Sequence, residues 1–232
     1  MLSVNFKDVG NTEGIEIDKI FPGGGVKTEL QAGTGGSTAD KIMVYVNDGN
    51  GGGDYVSYFL FKAAKSNVND YWWVNNSLQK CGVKFKNGDS FWFFKRGDAV
   101  VNATVSGEVD LTATKTIDIL PGYNMIGNYF PTGLVLNDEI YTPAFWQGSG
   151  AKYGTGGSAA DKVMVYVNDG NKGGDYISYF LFKAAKTNVN DYKWVNNSLQ
   201  PMNTSIAEPG QGVWYYHRGT GMTLPLHMPT AK

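Results

Sequence analysis

The chain has 232 residues, 42% of them apolar and only 18% charged, with 31 glycines and 14 tyrosines; this balance belongs to a folded, turn-rich β protein and excludes a disordered one. A net charge of −1 without a basic run lacks the electrostatic footprint of a nucleic-acid binder, and no stretch reaches the ~18 consecutive apolar residues of a membrane span. One cysteine, Cys81, excludes an internal disulfide framework and offers no metal-ligand spacing.

In chain order, the opening MLSVNFKDVG lacks the basic and apolar regions of a signal peptide, which fits a cytosolic chain or one whose leader has been removed. A Gly-rich segment, GTGGS (33–37), precedes KIMVYVND (41–48) and DYVSYFLFK (54–62). These two β-branched and aromatic runs, joined by a Gly/Asn/Asp cluster, predict a hairpin. FWFFKR (91–96) predicts another strand, and no segment carries a capped helical stripe.

Residues 33–79 return at 154–200 with six changes, and GDSFWFFKRG (88–97) returns as GQGVWYYHRG (210–219), so that Trp92 answers Trp214. A period near 120 residues is too long for a solenoid repeat or a single propeller blade. The expected fold is therefore all-β, two tandem homologous β-sandwich or barrel-like domains of six or seven strands each, spanning 1–110 and 111–232. Of the six changes, Gly51 to Lys172 and Trp72 to Lys193 are exchanges that a buried site does not accept, so both positions should be exposed.

The second unit opens with TIDILPGYNMIGNYFPTG (116–133), whereas the first starts partway through the same element, with Leu2–Phe6 lying against Met125–Tyr129. The counterpart of Thr116–Leu120 is missing. A β unit short of a strand leaves unpaired backbone and an uncovered apolar strip that favours strand addition. Three sources are open: a longer chain, the C-terminal tail GMTLPLHMPTAK folding back, or another copy. Leu2, Val4, Phe6, Met222, Leu224 and Leu226 are the expected assembly residues.

Two further candidates carry chemistry. The loops DGNGGGD and DGNKGGD place Asp48, Asn50, Asp54 and Asp169, Asn171, Asp175 at positions 1, 3 and 7, oxygen donors that can wrap calcium. Position 12, where a closing Glu is needed, holds Phe59 and Phe180, and the same residue types fill ordinary turns. Trp72, Trp73 and Trp194 are the expected glycan-stacking residues if exposed; aromatics that fill a β core are the competing reading. Catalysis finds no support: only His217 and His227 exist, His217 answers Lys95 in the first copy, Cys81 has no counterpart, and no nucleophile elbow, zincin pair or phosphate loop occurs.

The order PGYNMIGNYFP, then GQGVWYYHRG or GDSFWFFKRG, then VSGEV resembles uncharacterised β-repeat domains in exported proteins of Verrucomicrobia- and Lentisphaerae-type bacteria. The resemblance implies export to the surface or beyond, and no catalytic residue. The expectation is a non-catalytic extracellular or cell-surface structural protein that self-associates by strand pairing at its termini, with no cofactor unless calcium. A carbohydrate-binding or adhesive module is the alternative, and a glycosidase the third.

Overall fold

The computed structural model describes residues 1–4, 13–21, 23–98, 107–109, 111–170 and 173–228. The first copy contributes β1 (Leu2–Ser3), β2 (Ile15–Glu16), a single-turn helix α1 (Ile17–Ile20), β3 (Lys41–Asn47), β4 (Gly53–Leu60), β5 (Trp73–Val74), β6 (Lys84–Phe85) and β7 (Ser90–Phe94). The second contributes β8 (Thr114–Ile119), β9 (Gly122–Gly127), α2 (Pro143–Gly148), β10 (Lys162–Asn168), β11 (Gly174–Leu181), β12 (Trp194–Val195), β13 (Gly212–His217) and β14 (Met222–His227). The architecture is all-β, with two antiparallel five-stranded sheets ordered β1-β7-β3-β4-β5 and β12-β11-β10-β13-β9.

Side-chain alternation explains both faces of each sheet. Along β3, Ile42 and Val44 point into the first core, while Tyr45, one residue out of phase, meets Trp214 of the other unit. Successive side chains on a strand face opposite ways, so one hairpin serves a core and an inter-unit contact at once. The cores are separate: one gathers residues from Val4 to Phe91, the other residues from Ile117 to Leu226. At the centre of each stands a fully buried tryptophan, Trp73 or Trp194.

The helix α2 breaks the all-strand expectation. Thr142 caps it by accepting from Phe145 N at 3.2 Å, with Pro143 in the first turn. The Thr-Pro pair is the sequence signal for such a start. Trp146 from this turn is buried against Trp194 at 5.4 Å.

Strand pairs at the ends of the two units fix their register. In the second, β14 pairs antiparallel with β8, Leu224 opposite Ile117 and Leu226 facing the core beside it. Met222, Leu224 and Leu226 are thus spent within their own unit, and the C-terminal strand is not the filler of the first unit. In the first, Leu2 pairs with Phe91 where Ile126 pairs with Val213. The true alignment of the opening strand is therefore one residue off the sequence expectation: Leu2 answers Ile126, and Met1 answers Met125. Val4 is buried in the first core, and Phe6 lies outside the described residues.

Candidate functional site, an aromatic seam between the two units

The two units meet in a nearly twofold-symmetric seam. Ser3 N donates to Gly210 O at 2.8 Å, and its counterpart Gly127 N donates to Gly88 O at 2.8 Å. Trp92 stands edge-on to Tyr166 and Tyr176 of the second unit (4.9 and 6.4 Å between ring centroids), while Trp214 stands edge-on to Tyr45 and Tyr55 of the first (5.0 and 6.3 Å). Edge-to-face rings at these distances add to the apolar burial. Each indole N–H is satisfied inside its own unit: Trp214 Nε1 donates to Tyr176 Oη at 3.2 Å, and Trp92 makes the matching bond to Tyr55. Burial, ahead of the neighbouring charges, raises both tyrosine pKa values above the ordinary range.

The symmetry fails at one end. Asn47, at the tip of the first hairpin, donates through Nδ2 to Pro121 O at 2.9 Å and to Tyr123 O at 2.7 Å, gripping the turn between β8 and β9. Gly122 in that turn, at φ +81, lies so close to the Gly51 carbonyl that a side chain has no room. Tyr123 then covers Trp214 at 5.8 Å and Tyr216 at 4.7 Å. Asn168 is the counterpart of Asn47; its Oδ1 holds the same turn bond, to Gly170 N at 2.7 Å, but Asn168 is exposed and its Nδ2 meets no carbonyl among the described residues. On the same side Trp92 is only half-buried where Trp214 is 5% exposed, and Phe94, the counterpart of Tyr216, is 39% exposed. Among the described residues, Asn168, Trp92 and Phe94 have no counterpart of Pro121 and Tyr123 against them.

Each unit is latched by a buried aspartate. Asp161 accepts from Lys152 N, Arg218 N, Tyr215 Oη (3.0 Å) and His217 Nδ1 (2.8 Å). The Tyr215 pKa is raised well above its usual value, by burial first and by the Asp161 charge second. Asp40 holds the equivalent backbone amides, Gln31 N and Arg96 N, with Lys95 at 3.6 Å in place of the histidine. Asp40 is thereby committed to the fold. Arg96 and Arg218 donate to Gly36 O and Gly157 O, so the GTGGS segments are fastened loops and not anion cradles.

The remaining expectations fare unevenly. Asp48 Oδ1 accepts from Asn50 N and Gly52 N, and Asn50 Nδ2 turns back to Asp48 O; Asp169 likewise accepts from Gly173 N. These side chains close a turn on themselves, with Asp54 and Asp175 exposed on the following strand, and Asn171 lies outside the described residues. Among the described residues no group of three or more His, Cys, Asp or Glu could hold a metal. Trp73 and Trp194 are fully buried and unavailable to a glycan. Trp72 is half-buried, beneath the Lys80 ammonium at 3.4 Å, a correction to its expected exposure, while Gly51 is exposed and Lys172 is outside the described residues. Burial pushes the Cys81 thiol up to about 11, away from the reactive thiolate. No described helix is long and apolar enough to cross a membrane.

Sequence reasoning missed Asn47, Asn168 and the tyrosines of the seam as functional residues. Their signal was the retention of YVND in both copies, on a strand face that the core does not use. Comparison with known proteins finds no matching family model, curated protein or solved structure.

Proposed function

We propose that this chain is a non-catalytic structural module of an extracellular or cell-surface assembly, joined to neighbouring subunits by β-strand pairing at the open edge of its first unit. One observation carries the reading: Asn47 Nδ2 holds the β8–β9 turn by two hydrogen bonds, and the twofold-related Asn168 Nδ2 meets no carbonyl among the described residues. A sheet edge flanked by half-covered aromatics is an arrangement that strand addition uses. The likeness to exported β-repeat domains supports the location. The buried carboxylates and histidine serve as latches.

Light scattering during size-exclusion chromatography, across a wide concentration range, tests the reading. Species growing well beyond 25.3 kDa are expected, and a constant monomer mass would remove self-association.

A second reading has its own observation: Tyr55, Tyr176, Tyr123 and Phe94 line the seam with 39–45% of their surface exposed, and exposed ring faces can stack on sugars. A glycan that shifts the tryptophan emission through Trp92 would support it, and silence across a broad panel would end it.

A further inference from the structure

We infer that Asn50 is a site of spontaneous covalent modification: ring closure by the Gly51 nitrogen expels its side-chain amide and turns the tip of the first hairpin into a mixture of aspartate and isoaspartate. The sequence holds two Asn-Gly pairs, Asn50–Gly51 and Asn87–Gly88, and at the place of the first pair the second copy has Asn171–Lys172. Glycine after the asparagine matters because the attacking backbone nitrogen must swing onto the side-chain carbonyl, and a residue without Cβ reaches the required dihedrals most freely. The Gly51 N–H gives its proton to solvent base, the nitrogen bonds to Asn50 Cγ, and the Cγ–Nδ2 bond breaks, releasing ammonia and leaving a cyclic succinimide. Water then opens the ring. Attack at Cγ restores the ordinary backbone with an aspartate side chain, and attack at the backbone carbonyl leaves the chain running through Cβ and Cγ as isoaspartate. One water is consumed for each ammonia released, and nothing is oxidised or reduced.

Hydrogen bonding and burial separate the two pairs. Asn50 and Gly51 are both exposed. Gly51, at φ +92, has open space where a Cβ would stand, and among the described residues its N–H donates to no oxygen: Asp48 Oδ1 takes the amides on either side, Asn50 N at 2.7 Å and Gly52 N at 3.0 Å. The departing Asn50 Nδ2 makes one long bond, to Asp48 O at 3.3 Å. Asn87 has none of this freedom. Its Nδ2 and Oδ1 are buried, and its nucleophile is taken, since Gly88 N donates to Val4 O at 2.6 Å. Gly88 is also packed so closely on Tyr129 that even a Cβ would overlap the ring. Ring closure at Asn87 therefore waits for local opening of these contacts. The product at Asn50 reaches the seam, because the Gly51 carbonyl lies against Gly122 and Asn47 holds Pro121 O and Tyr123 O. Isoaspartate lengthens the backbone there by a methylene and sets a further carboxylate beside Asp48 and Asp54, which pulls the tip out of register with the β8–β9 turn.

The test is mass spectrometry of proteolytic fragments from the full chain aged in warm buffer, either folded or held unfolded in urea, with electron-transfer fragmentation to tell isoaspartate from aspartate. In the folded chain, the gain of about 1 Da that marks amide loss is expected at Asn50, in both product forms. Asn87 should lag by about tenfold or more, the factor that a local opening step imposes, and in urea the two rates should converge. Gly51→Lys, which installs the residue found in the second copy, should slow Asn50 by about tenfold or more, and Asn171 should lag by a similar factor. A folded chain that keeps the Asn50 amide while the unfolded chain loses it overturns the inference, as does conversion of folded Asn87 or Asn171 at the rate of Asn50. Aspartate without isoaspartate, or a rate indifferent to Gly51→Lys, overturns the succinimide route. Hydrogen exchange at 119–124 should be faster in the isoaspartyl fraction than in the intact one, and equal exchange would overturn the effect on the seam.

Discussion

The two copies share the hairpins β3–β4 and β10–β11 almost residue for residue, with six changes in 47 aligned positions, yet the strands that close them, β7 and β13, differ at six of ten positions across 88–97 and 210–219. The buried pair Phe91 and Val213 and the inward pair Phe93 and Tyr215 are among the differences. A duplicated fold tolerates exchange of core residues while volume is kept. What has stayed fixed is the hairpin face that makes the seam, and what has diverged is the strand beside it, β7 or β13. In the second, β8 and β14 complete the core and Asp161 gathers a histidine and a tyrosine; in the first, Phe93 stacks on Phe21 at 4.5 Å and Asp40 faces a partly exposed lysine.

That contrast predicts unequal losses on removal of the two aspartates. Asp161→Ala strands a buried histidine, a buried tyrosine hydroxyl and two backbone amides, and should cost about 3–5 kcal/mol. Asp40→Ala strands two amides beside Lys95, whose head reaches water, and should cost about 1–3 kcal/mol. Urea unfolding of both variants measures the difference, and equal losses would break the claim that the second unit is the more tightly latched. The seam supplies the next test. Trp214→Ala removes a buried ring from contact with Tyr45, Tyr55 and Tyr123 and should cost about 3 kcal/mol. Trp92→Ala, half-buried and without a counterpart of Tyr123, should cost about half of that. If the Trp92 loss matches the Trp214 loss, the first unit's side of the seam is not open.

Much of this arrangement was legible in the residues. The duplication, the hairpin and the strand at 91–96 follow from β-branched runs, turn clusters and self-comparison, all of them local signals. The seam did not follow, because whether Tyr45 and Trp92 face a core or a second unit depends on the docking of two sheets, and alternation marks two faces without saying what covers the outer one. The sequence left the calcium loops and the tryptophans with two readings for a related reason. Asp48 can satisfy a turn or a metal with the same oxygens, and Trp73 can fill a core or hold a sugar with the same ring; burial decides each case. The one-residue slip in aligning Leu2 with Met125 arose because short strands of apolar residues match in more than one register, and only the ladder to Phe91 fixes it.

The smallest expected effect sharpens the comparison at its narrowest point. Met1 occupies the place of Met125, so an α-ammonium in the first unit stands where the second unit has an ordinary peptide group. Burial lowers the pKa of that ammonium from 8.0 to about 6, and the unfolded chain holds the ordinary value. Between pH 6 and pH 8 the unfolded state therefore binds more protons than the folded state, so stability rises with pH across that window and is lost again as pH falls towards 6. Discounted for the residual contact with water, the change is about 1 kcal/mol. Thermal melts at intervals of pH should show the rise, and N-terminal acetylation, which replaces the ammonium by the amide that the second unit has at this position, should flatten it. A slope that survives acetylation would place the titration elsewhere.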